Sequence, residues 1–228
     1  YWIAEKLKPK RIVIAVPSLA LIRQTLEVWA RESLAKKRDI RWICVCSDDS
    51  VRDIAKDDIA ILTQDLGVKV EDKPDKISAW LSKRSKATSV VFVTYQSGHT
   101  LAKASRKAKV KFDLGIFDEA HKTVGAPGKP FSYLLFDKNI KVAKRLFMTA
   151  TERRYRGDSD DILSMDDPDA YGETFERLSF KEALECKPPI LSDYQIVTMV
   201  VTTDEVKKLI RSNVLVKPKM GRWNKETE

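Results

Sequence analysis

Apolar residues in this chain fall into short continuous runs, and helical patterns lie between them. The runs are residues 11–16 (RIVIAV), 41–46 (RWICVC), 89–93 (SVVFV), 112–117 (FDLGIF) and 145–148 (RLFM). Each is too short for a helix and apolar throughout, which suits a strand covered on both faces. Between the first two, Leu19, Ile22, Leu26, Trp29 and Ser33/Leu34 recur at helical spacing, and Ser18 stands where a helix N-cap belongs. Residues 75–81 and 99–108 are shorter helical candidates, and the first residues of the chain also read as helix. Residues 48–74 are polar and poorly patterned, so they read as an insertion. Strands alternating with helices predict an α/β fold with a mostly parallel sheet between two helical layers.

The character changes after Thr151. A charged loop leads to an acidic stretch, then a helix near 179–185, the breaker Lys187-Pro188-Pro189 and a strand-like run at 194–201. The expected division is a main domain over 1–192 and, over 193–228, a linker with the start of a second domain. The chain opens on Tyr1 without Met, which leads to the expectation of a fold truncated at both ends.

Composition narrows the classes. No apolar stretch approaches the roughly 20 residues that cross a bilayer, and the first residues have no signal-peptide pattern. Cys44 and Cys46 lie two apart in a strand-like run and read as a buried, reduced pair, because a zinc site needs about four ligands and the chain has only 2 histidines. A reducing cytoplasm fits. The net charge is +9. Residues 158–169 hold six aspartates and no Lys or Arg, so the rest of the chain carries +15. That balance favours a polyanionic partner, although runs such as 103–111 are as often solvated helix faces.

Four of the five apolar runs are followed at once by a compact polar cluster: Pro17-Ser18, Thr94-Tyr95-Gln96-Ser97, Asp118-Glu119-Ala120-His121 and Thr149-Ala150-Thr151. In an open parallel sheet the ligand crevice lies beyond the carboxyl ends of the strands, so parallel strands would gather all four on one rim.

These clusters resemble, in order and content, the first RecA-like motor domain of superfamily 2 DEAH-type helicases and translocases. Residues 13–29 (VIAVPSLALIRQTLEVW) are similar to motif Ia and 90–98 (VVFVTYQSG) to the next strand-end motif. Residues 116–122 (IFDEAHK) are similar to the Walker B motif II, and 146–153 (LFMTATER) to motif III. The closer likeness is to motors of restriction enzymes (types I, III and ISP) and of mobile elements. Residues 164–167 with Tyr171-Gly172, and 191–194, suggest that subgroup.

The resemblance implies a P-loop NTPase fold, ATP and magnesium as cofactors, and an enzyme that couples ATP hydrolysis to movement on DNA, with RNA left open. It implies that Asp118 holds the hydrated magnesium ion, that Glu119 orients and deprotonates the attacking water, and that His121 couples the nucleotide site to a second RecA-like domain. Thr149 and Thr151 would relay the state of these side chains. Ser18, Thr94, Tyr95 and Ser97 would lie on the nucleic-acid track, contacting phosphates without reading bases. For Ser18 a plain helix cap is an equal and compatible reading, and Tyr95 equally suits core packing. Nuclease or methyltransferase domains could accompany such a motor.

Two parts of such a motor are missing. No G-x-x-x-x-G-K-S/T phosphate loop occurs; Gly125 to Pro130 has the wrong glycine spacing, and Pro130 stands where a hydroxyl is needed. The loop is expected just before Tyr1. No arginine-rich late motif occurs either, and Arg153, Arg154 and Arg156 read as loop charges or phosphate contacts. The chain by itself is therefore expected to be inactive. Two other readings compete: a non-catalytic nucleic-acid-binding scaffold, disfavoured by the intact Asp118 and Glu119, and a magnesium-dependent phosphatase. The phosphatase would need an early strand-end aspartate where Pro17-Ser18 stands.

Overall fold

The structure, a computed structural model, describes residues 1–46, 70–125, 130–155, 162–195, 202 and 204. Contacts divide the chain into two compact units, Tyr1–Glu173 and Thr174–Glu228.

The first unit is built on a six-stranded sheet. Its strands are β1 (Arg11–Val16), β2 (Ile40–Val45), β3 (Val70–Glu71), β4 (Thr88–Thr94), β5 (Phe112–Phe117) and β6 (Val142–Phe147). Their order across the sheet is β3-β2-β4-β1-β5-β6, and every neighbouring pair is parallel. The α/β fold with a parallel sheet read from the apolar runs is therefore the one observed, and all five runs are strands. One strand was not anticipated: β3 ends the stretch read as an insertion. The expected strand at 194–201 lies outside the described residues except for its first two, which join no ladder.

Alternation along the strands sends side chains to two separate cores. Ile12, Ile14 and Val16 point to one face with Val90, Phe92, Leu114 and Ile116, where α1 (Trp2–Leu7) and α2 (Leu19–Ala35) cover them. Val13 and Ala15 point to the other with Val91, Val93 and Phe117, covered by α3 (Pro74–Ser82) and α4 (Gly98–Ala108). These strands are apolar at every position because helices cover both faces.

The apolar stripe of α2 buries Leu19, Ile22, Leu26 and Trp29 at helical spacing. Trp29 packs edge-on against Phe92, with centroids 6.4 Å apart. Removing a fully buried side chain such as Ile22 would cost about 2–5 kcal/mol. Cys44 and Cys46 are buried in the same core and form no disulfide, and burial pushes the Cys44 thiol up to about 12. Gly115 is required where β5 meets β6, since a Cβ there would lie 2.8 Å from the Phe117 ring and 3.0 Å from Val142. The first unit also contains the short α5 (Pro168–Tyr171). Among the described residues no helix is long and apolar enough to cross a membrane.

In the second unit, α6 (Phe180–Glu185) starts with a full capping box between Ser179 and Glu182. The Ala183 carbonyl accepts the N–H groups of Ile190 and Leu191.

Candidate functional site

The parallel sheet brings the carboxyl ends of β1, β4, β5 and β6 to one rim, and β5 supplies the acidic turn. The Asp118 N–H donates to the Ala15 carbonyl at 3.0 Å, carrying the β1–β5 ladder one residue past the strand. Met148 N–H donates to the Phe117 carbonyl and Ala120 N–H to the Met148 carbonyl, each at 2.9 Å, so the turn is fixed against the end of β6. Between these anchors Glu119 takes a left-handed conformation, φ 50° and ψ 43°. A non-glycine residue pays for this conformation by roughly 1–2 kcal/mol, and here both flanking residues are held by neighbouring strands. The Glu119 side chain lies against the 3-10 turn Ala120–Thr123, where its Oε2 meets His121.

Two carboxylates follow one another on this turn. Asp118 Oδ1 accepts the Glu119 N–H at 2.9 Å. Burial pushes the Asp118 carboxyl above the ordinary aspartate range; the Glu119 charge adds to this, and the N–H opposes it. Asp118 is thus a carboxylate whose charge is short of compensation.

His121 joins the turn to β6. Its Nδ1 lies 3.2 Å from Glu119 Oε2 and 2.9 Å from Thr149 Oγ1. The Thr149 hydroxyl donates to the Thr151 carbonyl at 3.1 Å and accepts the Thr151 N–H at 3.1 Å. With the threonine proton committed, Thr149 Oγ1 is an acceptor, so Nδ1 carries the imidazole hydrogen and the neutral ring keeps its lone pair on Nε2. Desolvation lowers the His121 pKa below the usual histidine value; Glu119 works against this, and Arg153 and Lys122 reinforce it. Thr151 enters this network through its backbone.

A second tier of polar groups supports the turn from inside. The Tyr95 hydroxyl donates to the Asp118 carbonyl at 2.7 Å. Tyr95 is fully buried, packs on Phe131 with centroids 5.6 Å apart, and is held protonated well above the usual phenol range, first by burial. Thr94 Oγ1 donates to Ser97 Oγ at 3.1 Å, and both residues are buried. In this conformation these three side chains offer no surface to a bound strand. Ser18 is half-buried and caps α2, accepting the Leu21 N–H at 3.4 Å.

Three residues without an assigned role in the sequence belong to this tier. Gln96 Nε2 donates to the Pro17 carbonyl at 3.4 Å, linking the ends of β4 and β1, while its buried Oε1 has no partner. Thr123 Oγ1 donates to the Ala120 carbonyl at 2.7 Å and lies 2.7 Å from the Tyr171 hydroxyl, which must then donate to it. Gln96 lies inside a motif quoted above, whereas Tyr171 is 48 residues from Thr123 and no local pattern connects them. Arg154 pairs with Glu152 at 3.0 Å. Arg156, and residues 126–129 of the glycine-containing segment, lie outside the described residues.

A wound parallel sheet with an acid–acid–histidine turn and a threonine of the next strand end meeting at one rim defines a class: the RecA-like first motor domain of superfamily 2 helicases. Residues 1–154 match the family described as "Type III restriction enzyme, res subunit", and the chain belongs to that family. It is 29% identical over 176 residues, 77% of its length, to the probable helicase A859L of African swine fever virus (isolate Tick/Malawi/Lil 20-1/1983). The same protein of isolate Pig/Kenya/KEN-50/1950 is 28% identical over 176 residues. Among solved structures, the chain resembles a nuclease-deletion mutant of the Type ISP restriction-modification enzyme LlaGI in complex with a DNA substrate mimic. The TM-score is 0.63 and the identity 30%, over 85% of this chain and 15% of that one. It also resembles the ATP-dependent Type ISP restriction-modification enzyme LlaBIII bound to DNA, with TM-score 0.65 and 29% identity over 85% of this chain and 13% of the other. The chain spans 17% of the length of the viral relatives.

Proposed function

We propose that this chain is the first motor domain of an ATP-driven helicase or translocase that moves on DNA. The observation that carries this reading is the meeting of Glu119, His121 and Thr149 through one imidazole nitrogen at the carboxyl rim. Such a link lets a change at the acidic turn reach the end of β6.

A magnesium ion fits the residues present, and ATP would come with it. Asp118 is a half-buried carboxylate whose charge is disfavoured by its surroundings, and a hydrated divalent cation would offset that cost. When bound, a magnesium–nucleotide complex would supply the phosphoryl group and the positive charge that Asp118 would balance. Glu119 orients a water and accepts its proton, its backbone fixed by Asp118 and Ala120 and its Oε2 steadied by His121. His121 hands the state of that carboxylate to Thr149, and Thr149 passes it to the backbone of Thr151. Ser18 and the first amides of α2 meet phosphate oxygens of the strand. Thr94, Tyr95 and Ser97 act from beneath by holding the rim in shape.

The 228 residues contain no G-x-x-x-x-G-K-S/T loop. Catalysis therefore draws on a phosphate loop and a second RecA-like domain supplied by a longer protein, in which residues 1–192 form the first motor unit and 193–228 lead toward the second. The experiment is a steady-state ATPase assay on that longer protein with and without duplex DNA. DNA-stimulated turnover is expected, and turnover indifferent to DNA would remove the motor reading.

A further inference from the structure

Exposed lysines of the first unit gather at the pole opposite the site. Helices of a parallel sheet run back against their strands, so helix ends and strand entries share the amino rim. There exposed lysines stand one to three residues before the five longer strands, and the exposed acid Asp39 lies between Lys37 and β2. The lysines are Lys10 before β1, Lys37 before β2, Lys86 before β4, Lys111 before β5 and Lys141 before β6. The entries are in register: Arg11 is opposite Ser89, Arg41 is opposite Ser89, and Phe112 is opposite Val142. Lys141 has a carboxylate partner, Asp137 at 3.7 Å. Lys10, Lys37, Lys86 and Lys111 have none among the described residues. Asp113, the acid nearest the β1 entry, is occupied by the backbone N–H groups of Lys10 and Arg11.

Backbone geometry adds a second observation. Lys8, Lys37 and Lys109 all adopt the left-handed conformation at this rim, with φ of 49°, 50° and 51°. Glycine is the usual residue for that geometry, and lysine holds it only at a conformational cost. A helix carboxyl end attracts cations, which accounts for about one lysine per helix, but that attraction fades within the last turn. Lys10, Lys86 and Lys111 stand at strand entries beyond it. Among the described residues the opposite rim holds fewer unpaired cations: Arg154 is paired with Glu152, and Lys122 and Lys73 have Glu119 and Asp72 as chain neighbours, while Arg153 is exposed near His121.

We infer that this amino rim is a second, sequence-independent binding surface for the phosphate backbone of duplex DNA, separate from the strand track at the carboxyl rim. Strands lie about 4.8 Å apart, so the five entries span roughly 19 Å. Duplex DNA carries one charge per about 1.7 Å of axis, so a segment of that length presents on the order of ten phosphates. Four lysines without a carboxylate partner among the described residues, with Lys141 beside Asp137, face that charge density near the strand entries. The inference does not depend on ATP hydrolysis at the opposite rim.

The test is fluorescence anisotropy of a labelled 20-base-pair duplex of arbitrary sequence, about two helical turns, titrated with the 228-residue chain over a salt series. The triple variant Lys10→Glu, Lys86→Glu, Lys111→Glu should bind at least about tenfold more weakly. Its slope of log K against log salt should be shallower by about 3, the loss of three phosphate contacts. The milder Lys→Gln triple should lower the slope by a similar amount. Circular dichroism should show both variants folded, because all three side chains are exposed. Unchanged affinity and slope in a folded triple variant would overturn the inference. It would also be overturned by no duplex binding in the parent chain, by binding of phosphatidylglycerol vesicles but not duplex, or by a loss caused only by Arg153→Glu with Arg154→Glu.

Discussion

The Tyr95 phenol donates a 2.7 Å hydrogen bond to the carbonyl of Asp118, tying the end of β4 to the turn that leaves β5. Its ring is fully buried, so Phe fills the same space and the substitution removes only the donor. Tyr95→Phe should destabilise the chain by about 1–2 kcal/mol, the cost of a buried acceptor left without its partner. Urea unfolding of the 228-residue chain checks it. An unchanged midpoint would show that the carbonyl finds another donor.

Titration of the His121 ring reports the charge arrangement around it. Its folded pKa is lowered, mainly by desolvation. The unfolded ring takes up its proton first, near 6.5, so its contribution to stability is present above about pH 6.5 and is lost as pH falls below that value. Because Glu119 raises this pKa and Arg153 lowers it, Glu119→Gln should move the titration further down and Arg153→Ala should move it up. Proton NMR of the ring, followed across pH, measures both shifts. A downward move in Arg153→Ala would contradict the arrangement.

Asp118 has the opposite sign. Its folded pKa is raised by burial, so the charged form present at neutral pH is a liability in the chain without cation. Asp118→Asn keeps the shape and the acceptor for the Glu119 N–H while removing the charge. It should stabilise the chain at pH 7 by about 0.5–2 kcal/mol, as functional-site substitutions commonly do, and the gain should shrink as pH falls toward the aspartate range. Thermal unfolding at two pH values decides it; destabilisation at pH 7 would show that the carboxylate is already compensated.

The strands were legible because a parallel sheet covered on both faces leaves unbroken apolar runs, as in β1 and β4. The polar clusters after them were legible because a parallel sheet puts every strand exit on one rim. The short strand Val70–Glu71 was not, since two residues carry no periodicity and its neighbours are polar. The left-handed Glu119 was not legible either, because glutamate has no preference for that conformation and the anchors that impose it come from β1 and β6. Tyr95 fitted either a nucleic-acid track or a core; only its neighbours in space place it beneath Asp118. The Tyr171–Thr123 contact joins residues 48 apart and left no sequence trace.

The chain on its own should hydrolyse ATP negligibly, with or without DNA, because it contains no phosphate loop to cradle the triphosphate. A coupled steady-state assay is sufficient. Turnover of even about 1 per second, the low end for working phosphoryl-transfer enzymes, would refute it.

The central claim is that Glu119 acts as the base at this rim, and Glu119→Gln in a longer protein with a phosphate loop and second motor domain tests it most directly. The substitution keeps side-chain volume and removes the proton acceptor, so DNA-stimulated turnover should fall by about 10²–10⁴-fold while ATP binding persists. Turnover equal to that of the unsubstituted protein, with binding intact, would contradict the account.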